Sequence, residues 1–196
     1  MVSPPASSIR EVAPRTQTDY YNAAFDLLAS DGPRALTIAK LCHALGVSKG
    51  SFYHHFDGIP DFTAKFLDYW EHWESADVEV MLEKVEPVER LQLAKIVATW
   101  EIHHEAETAI RAMARTNPEI GAVMRRVDDK REDVIFRVFV TVGMEEDRAR
   151  VLARLGIAVL VGTQSREHPV DRNHLREMFD EYHQWLLHVA SLPAPN

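Results

Sequence analysis

Lys49, Gly50 and Ser51 form the small, polar tip of a short predicted helix that follows a sharp turn. Behind this tip, Phe52 and Phe56 are four residues apart, so both lie on one face of the helix. Ammonium, hydroxyl and backbone N–H groups donate hydrogen bonds to phosphate oxygens and to base edges. A helix that is anchored by aromatic side chains and presents a small polar end can enter the major groove of DNA. The stretch therefore predicts nucleic-acid recognition.

Two predicted helices precede this tip and must position it. The first runs from about residue 18 to residue 30 with apolar residues at helical spacing, and Gly32-Pro33 ends it. Thr37 can cap the second helix through its hydroxyl, and Gly46 permits a tight turn because glycine readily adopts positive φ. The order is that of a helix-turn-helix unit, although any small helical bundle can mimic such a pattern.

The histidines and the single cysteine offer little for catalysis or metal binding. His54-His55 and His103-His104 are adjacent pairs, and neighbouring residues on a helix point about 100° apart, so neither pair chelates readily. Residues 103–105 do not form the HExxH pattern of a zinc protease, and the chain has no glycine-rich phosphate loop. Cys42 lies on an apolar helix face and is expected to be a small buried hydrophobe. We expect no catalytic residue, no metal site and no cofactor.

Charge is distributed unevenly along the 196 residues, whose net charge is −8 at pH 7. Residues 10–65 carry six Lys/Arg and six Asp/Glu, whereas residues 66–196 carry sixteen and twenty-four. This distribution confines contact with DNA to the neutral N-terminal segment, which attracts phosphate only weakly. No apolar run approaches the roughly 20 residues that span a bilayer, so we expect no membrane contact. One cysteine excludes a disulfide within the chain and fits a reducing cytoplasm.

Helical periodicity continues to the end of the chain without convincing runs of alternating residues, which predicts an all-α fold of about nine helices. Residues 1–15 are rich in Pro and Ser and are predicted to form a disordered arm. Residues 16–58 are the predicted helix-turn-helix domain, and residues 59–192 a second helical domain. Between them, Pro60 is expected to begin a long helix that joins the two.

The N-terminal unit resembles the DNA-binding domain of the tetracycline-repressor (TetR) family of bacterial regulators. The resemblance covers about a quarter of the chain and is carried by Ala23, Ala24, Leu27, Leu28, Gly32, Thr37, Ile38, Leu41, Ala44 and the string GVSKGSFYHHF at 46–56. It implies a dimeric, ligand-responsive transcriptional regulator, most often a repressor, that binds a near-palindromic operator on double-stranded DNA.

The resemblance also implies roles for individual residues of the motif. The hydroxyls of Thr37 and Ser48, at the starts of two helices, would hold backbone phosphate. Lys49 would reach phosphate or a base edge. Gly50 would lie near the groove floor, where a bulky side chain would clash, while Tyr53 and His54 would contact phosphate or thymine methyl groups. Phe52 and Phe56 would hold the helix onto its scaffold. The implied DNA-binding set is Thr37, Ser48, Lys49, Gly50, Ser51, Tyr53, His54 and His55.

The chain departs from the family pattern at Ile59, where members commonly have a lysine that grips phosphate. Asp57 adds a negative charge nearby. Each phosphate contact contributes about 0.9 to the salt slope of duplex binding. We therefore expect weaker operator binding, assisted by Arg10 and Arg15 in the arm, so that replacing both arginines by alanine should lower the affinity.

In the family, the middle helices enclose a ligand cavity and the last two helices form a dimer interface. Aromatic side chains would suit an apolar or aromatic effector, although aromatic stripes at helical spacing are usually core. The implied ligand contacts are Trp70, Trp73, Trp100, His103, His104, Met113, Met124, Phe136 and Phe139. The implied dimer contacts are Leu152, Leu155, Gly156, Val159, Leu175, Phe179, Tyr182 and Leu186.

Two other hypotheses remain open at this stage. The chain could be a regulator that responds to a protein partner in place of a small molecule. It could also be a helical enzyme in which the helix-turn-helix is only architecture. Binding to DNA separates the regulators from the enzyme, and stabilisation by small molecules separates the two kinds of regulator.

Overall fold

The computed structural model describes residues 15–83 and 85–190, and within them the side chains of all but residues 73–83, 87, 88, 91, 93, 100, 101 and 187–190. In these ranges the chain forms nine α-helices and no strand, as the sequence predicts. The helices are α1 (Gln17–Asp31), α2 (Ile38–Leu45), α3 (Lys49–His55), α4 (Ile59–Glu83), α5 (Pro87–Ile96), α6 (His104–Ala114), α7 (Pro118–Thr141), α8 (Glu146–Arg166) and α9 (Arg172–Ala190). We call residues 16–58 the head and residues 59–190 the body.

Local capping signals set the ends of the head helices. The Thr37 hydroxyl accepts a hydrogen bond from the Lys40 backbone N–H at 3.2 Å and begins α2. Gly46 ends α2 in the left-handed conformation, with φ 66° and ψ 34°, which costs a glycine little. The Ser48 hydroxyl then accepts from the Ser51 backbone N–H at 3.4 Å and begins α3. The predicted helix, turn and helix are therefore confirmed.

Apolar residues at helical spacing predict one continuous helix from about residue 88 to residue 104, but the structure interrupts it, so this prediction is wrong. After α5 the chain forms one π-helical turn, Val97–Glu101, then becomes extended at Ile102 before α6 begins. The break is held by a tertiary hydrogen bond, since the buried His104 ring donates to the Thr99 carbonyl at 3.2 Å. No Gly or Pro marks this break, so local sequence signals do not reveal it.

One hydrophobic core runs through the head and into the body. It begins with buried aromatic side chains of α1, α3 and α4 and continues into α6 and α7 through Ala106, Ile110, Met124 and Val127. Two smaller clusters lie farther from the head, among the π-helical turn and α7 to α9. The head is therefore joined to the body by packing as well as by the chain. No helix of the described part of the chain is long and apolar enough to cross a membrane.

Candidate nucleic-acid interface and internal cavity

One face of α3 is exposed and carries the polar tip. Lys49, Gly50, Tyr53 and His54 span an arc of roughly 140° around the helix, given about 100° per residue, and all four are exposed. Tyr53 is 57% exposed, which is unusual for so large a ring. The face offers an ammonium group, two aromatic rings with polar atoms, and a position without a side chain. These groups suit contacts to phosphate and to base edges.

The opposite face of α3 is fixed by Tyr20 of α1. Its ring meets the rings of Phe52 and Phe56 edge to face, with centroids 5.9 and 5.4 Å apart. Its hydroxyl donates a hydrogen bond to the Ser51 hydroxyl at 3.0 Å. His55 also turns inward, with its ring 5.7 Å from that of Tyr20. Of the predicted DNA-binding residues, Ser51 and His55 therefore contact the scaffold, and no local pattern in the sequence indicates that Tyr20 contacts both.

Thr37 and Ser48 remain available to a partner although both cap helices. A hydroxyl that accepts from a backbone N–H still has its own proton to donate, and both residues are exposed. Gly50 is not required by packing, because an added Cβ would meet only the Ser48 hydroxyl, at 3.5 Å. A requirement for a small residue at position 50 would therefore arise from contacts on the exposed face of α3.

Two ion pairs, one in the head and one early in α4, reduce the positive charge that is available to DNA phosphates. Lys40 pairs with Asp31 at 2.6 Å, and Lys65, early in α4, pairs with Asp61 at 2.9 Å. Lys49 has no ion pair among the described residues, so its ammonium group remains available to a partner on the exposed face of α3. Arg10 lies outside the described residues, and Arg15 lies at their beginning.

Ile59 has a structural role in place of phosphate binding. It is the first residue of α4, and it packs, half-buried, against the hydrophobic core of the head. An apolar side chain here stabilises the start of the helix that joins head and body. The absence of the family's lysine is therefore linked to a packing role at this position, whereas the predicted effect on DNA affinity stays a prediction.

A cavity of about 480 Å³ lies in the body, between α5, the π-helical turn, α7, α8 and α9. Its volume falls in the range of small-molecule sites. Most of its wall is aliphatic or aromatic, including Ile102, Phe139, Leu160, Phe179 and Leu186. Charged groups stand among the lining residues: Lys95, Asp129, Lys130, Arg131, Asp133 and Arg137.

Among the predicted ligand contacts whose side chains the structure describes, Phe139 alone lines this cavity. Trp70 and Met124 are buried in the core that extends from the head, and Met113 packs against that core. Phe136 lies under the guanidinium of Arg150, 4.5 Å from its ring centroid. The side chains of residues 73 and 100, both tryptophans, lie outside those described. A cavity contact by these residues stays a prediction.

His103 and His104 occupy the junction between cavity, body and head. Their neighbour Ile102 lines the cavity. The His103 ring stacks on Phe25 of α1, with centroids 4.4 Å apart and planes 15° apart. His104 is fully buried at the start of α6. Three consecutive side chains thus contact three different parts of the molecule: the cavity, the head and the core of the body.

His104 belongs to a chain of buried hydrogen bonds. Its Nε2 donates to the Thr99 carbonyl, its Nδ1 accepts from the Gln164 amide at 3.2 Å, and the Gln164 oxygen accepts from Arg111 Nε at 3.2 Å. This arrangement requires a neutral ring that is protonated on Nε2. Burial lowers the pKa of His104, which agrees with the neutral form.

A buried ionic cluster ties α6 to α7 beside this chain. Glu107 is 1% exposed and receives two hydrogen bonds from Arg131, at 2.9 and 2.8 Å, and one from Arg111 at 2.7 Å. Arg111 also forms a two-point contact with Asp128, at 2.8 and 2.7 Å. Burial alone would raise the pKa of Glu107, but the two guanidinium groups outweigh it and hold that pKa below its ordinary value.

The predicted dimer contacts divide into buried and exposed residues. Leu152, Leu175 and Leu186 are buried within the chain, as are Gly156 and Phe179, so all five pack inside the protomer. The Val159 and Tyr182 side chains are half-buried against the same clusters, whereas that of Leu155 is exposed. An interface role for this set stays a prediction.

A different face of α8 is open to solvent. Val151, Leu155 and Ala158 are exposed at i, i+4 and i+7 spacing and form an apolar strip. Gly162 continues this strip, and a Cβ added to it would have no atom within 4 Å. Trp185 of α9 is exposed as well. The sequence indicates broad apolar faces on both helices, but helical periodicity alone does not say which part packs inside the protomer.

The described residues contain no group of three or more His, Cys, Asp or Glu side chains that could hold a metal ion. Cys42 is buried, and burial raises the pKa of its thiol, with the charge of Lys49 opposing. A thiol with a raised pKa is a poor nucleophile at neutral pH.

Residues 21–61 match the sequence profile of the family described as bacterial regulatory proteins, tetR family. The matched segment contains α2 and α3 and most of α1, together with the turn at Gly46. No curated protein shows significant sequence similarity to the chain.

Similar folds occur among solved structures of bacterial and archaeal regulators. A transcriptional regulator from Rhodococcus sp. RHA1 is 18% identical with a TM-score of 0.71, covering 92% of this chain and 100% of its own. A TetR transcription regulator from Haloarcula marismortui is 20% identical with a TM-score of 0.70, covering 86% and 96%. A transcriptional regulator from Saccharomonospora viridis, in complex with choline, is 16% identical with a TM-score of 0.70, covering 86% and 95%. At these identities the likeness shows the fold.

Proposed function

We propose that this chain, whose residues 21–61 match the tetR family profile and whose fold is that of TetR-family regulators, is a DNA-binding transcriptional regulator that represses transcription by binding a near-palindromic operator as a homodimer until a small molecule fills the body cavity. The exposed face of α3 is the observation that carries this proposal. Lys49, Tyr53 and His54 project from a helix whose other side is fixed by Tyr20 and two phenylalanines. A rigid helix with a polar outer face is what major-groove contact requires.

The exposed apolar strip of α8 supports the proposed dimerisation. A two-fold dimer places two recognition helices about 34–36 Å apart, to match two half-sites one helical turn apart. Val151, Leu155 and Ala158, with Gly162, form an apolar strip whose small residues allow a second helix to approach closely. The strip therefore supports a helix-to-helix contact between two copies of the chain.

Ligand response rests on the position of the cavity relative to the head. The π-helical turn forms part of the cavity wall through Val97 and Ala98, and two residues beyond this turn His103 stacks on Phe25. A ligand that prefers one arrangement of this segment shifts the population of head positions by its difference in affinity. Two heads at a changed spacing no longer match the operator. The choline complex of one structural neighbour supports a small-molecule effector.

The test begins with selection of bound sequences from random DNA duplexes, because the operator is not known beforehand. We expect a near-palindromic consensus with half-sites about one helical turn apart. Fluorescence anisotropy on this duplex should then show that Tyr53→Ala lowers the affinity at least tenfold. His72→Ala, which alters an exposed residue of α4, should leave the affinity unchanged. Absence of any enriched sequence would overturn the proposal.

Dimerisation is tested separately by sedimentation velocity. The double variant Val151→Glu, Leu155→Glu places two charges on the exposed strip and should yield monomers. The control is Arg176→Glu, which changes the net charge equally on a face of α9 about half a turn away from Trp185. If the double variant sediments as the unaltered protein does, this strip is not the interface.

A further inference from the structure

The charged lining of the cavity defines the class of ligand, an inference that rests on the proposed ligand response. Four of the lining residues are cations and two are carboxylates. What matters is how firmly each cation is already held by a partner, because a ligand must compete with that partner or use the hydrogen-bond donors it leaves over.

Three of the four cations are poorly placed to bind an anionic group of a ligand. Arg131 is bound at two points by Glu107, and displacing it would leave a carboxylate buried without its partner, which is costly. Lys130 is held at 3.1 Å by Glu71 of α4, and its side chain is half-exposed. Arg137 is also half-exposed and pairs with Asp133 at 3.0 Å, so water weakens its attraction for a ligand.

Lys95 differs from these three. Its side chain is only 17% exposed, whereas its partner Asp180 is 48% exposed. The ammonium group donates one hydrogen bond to Asp180 and retains two more protons. A second anion can therefore bind Lys95 directly, and if Asp180 is displaced it returns to water at little cost.

His183 stands beside Lys95 in the cavity lining, one helical turn beyond Asp180 on α9. Burial, and then the charge of Lys95, lowers the pKa of His183, so the ring is neutral at pH 7 and has one N–H to donate. Tyr182 offers no such donor, since its hydroxyl is committed to the Leu152 carbonyl. The two lining carboxylates, Asp129 and Asp133, are exposed on α7, where solvent screens their repulsion.

We infer that the cavity takes an organic anion, whose carboxylate binds Lys95 and His183 and whose apolar body fills the space between α7 and α8. The walls formed by Ile102, Phe139 and Leu160 are suited to an aliphatic or aromatic body. A charge-assisted hydrogen bond from the largely buried Lys95 then discriminates between a carboxylate and a neutral group of the same shape.

Matched sets of compounds test this inference by isothermal titration at pH 7 on the full-length protein. One set is decanoate, decanol and decyltrimethylammonium, and another is 2-naphthoate and 2-naphthamide. We expect at least one carboxylate to bind tenfold or more tightly than its neutral counterpart. Lys95→Met should reduce that preference to about twofold or less and leave the affinity for the neutral compound unchanged, which also shows that the variant is folded. Lys130→Met, a second lining lysine, should keep the preference.

Three results overturn the inference: no carboxylate preferred over its counterpart, a preference that survives in Lys95→Met, or tighter binding of the ammonium compound. Operator anisotropy in the same samples separates this inference from the proposed function. Intact operator binding without a carboxylate preference refutes the anion site alone. A carboxylate preference without any release of operator refutes the proposed ligand response and leaves the anion site standing.

Discussion

Around α3 the buried side chains are mostly aromatic rings, whereas around the cavity they are aliphatic residues and charged pairs. The rings of the head and of the first half of α4 lie in contact with one another, with centroids 4.8 to 6.3 Å apart. They include Tyr20, Tyr21, Phe25, Phe52, Phe56, Phe62 and Phe66. The body beyond them has two clusters of five buried residues each among the described side chains, and a void lies beside them.

This difference matches what each region has to do. Interlocked rings hold α3 at one orientation and need few hydrogen bonds to do so. The body, in which we propose that a ligand binds, combines empty space with buried ionic contacts. We therefore expect substitutions in the head to act on stability and on DNA contact, and those in the body to act on stability and also on the proposed coupling between ligand and operator.

The largest expected effect is the loss of a ring from the aromatic cluster formed by the head and the first half of α4. Phe66→Ala removes a fully buried side chain and should lower the free energy of unfolding by about 3–5 kcal/mol. Phe139→Ala should cost about 1 kcal/mol less, because its ring already borders the cavity and has fewer packed neighbours on that side. Urea denaturation of both variants measures the difference. Equal losses would mean that the two regions are packed equally densely.

Breaking the buried ionic cluster should have the next largest effect. Glu107→Gln leaves Arg111 and Arg131 without their buried counter-charge and should cost about 3 kcal/mol at pH 7. Glu132→Gln is the control, since its partner Arg154 is largely exposed, and we expect a loss below about 1 kcal/mol. Thermal and urea denaturation should agree. A loss in the first variant no larger than in the control would show that the cluster contributes specificity rather than stability.

Acid should weaken the link between α4 and α7. Hydrogen bonds from Arg126 lower the pKa of Glu71 to about 2, against the effect of burial, from an ordinary value of 4.5. A depressed native pKa contributes stability that is complete above pH 4.5 and is lost as the pH falls towards 2, on the order of 2 kcal/mol. The stability gap between the unaltered protein and Glu71→Gln should therefore shrink between pH 5 and pH 3 in urea titrations. A gap independent of pH would contradict the role of this carboxylate.

The smallest expected effect is on the exposed face of α3. Lys49→Ala should lower the salt slope of operator binding by about 1 and weaken binding to all sequences alike, because a phosphate contact carries no sequence information. Its melting temperature should not change, since the side chain is exposed. Anisotropy at a series of salt concentrations measures the slope, with Lys130→Ala of the body as control. An unchanged slope would show that Lys49 does not contact phosphate.

The helix-turn-helix was predictable because its signals are local. Thr37 and Ser48 cap helices within three residues of themselves, and Gly46 is needed for a positive φ at one position. Each signal acts through the backbone nearby and needs no knowledge of distant contacts. The same holds for Asn117, whose side chain accepts from the Glu119 backbone N–H at 2.9 Å at the start of α7.

The cavity was not predictable in this way, because it depends on which helices meet. Periodicity identifies the buried side of Trp70 and Met124 correctly but does not say that they join the core shared with the head. The interruption after Ile96 is stabilised by Thr99 and His104, which are five residues apart and buried only through tertiary packing. On α8 the packed and exposed apolar residues are direct neighbours, as Val151 and Leu152 illustrate.

The stack of His103 on Phe25 sets a rule for building hybrid regulators from this chain. A graft that exchanged only residues 16–58 would cut through a continuous core and place a foreign residue opposite the imidazole. Under the proposed ligand response, such a hybrid would bind its new operator and not respond to the ligand, because the contact between the segment at the cavity and the head would be missing. An exchange that retains Phe25, together with the residues packed on α6, preserves the contacts between the body and the DNA-binding head on which the proposed response depends.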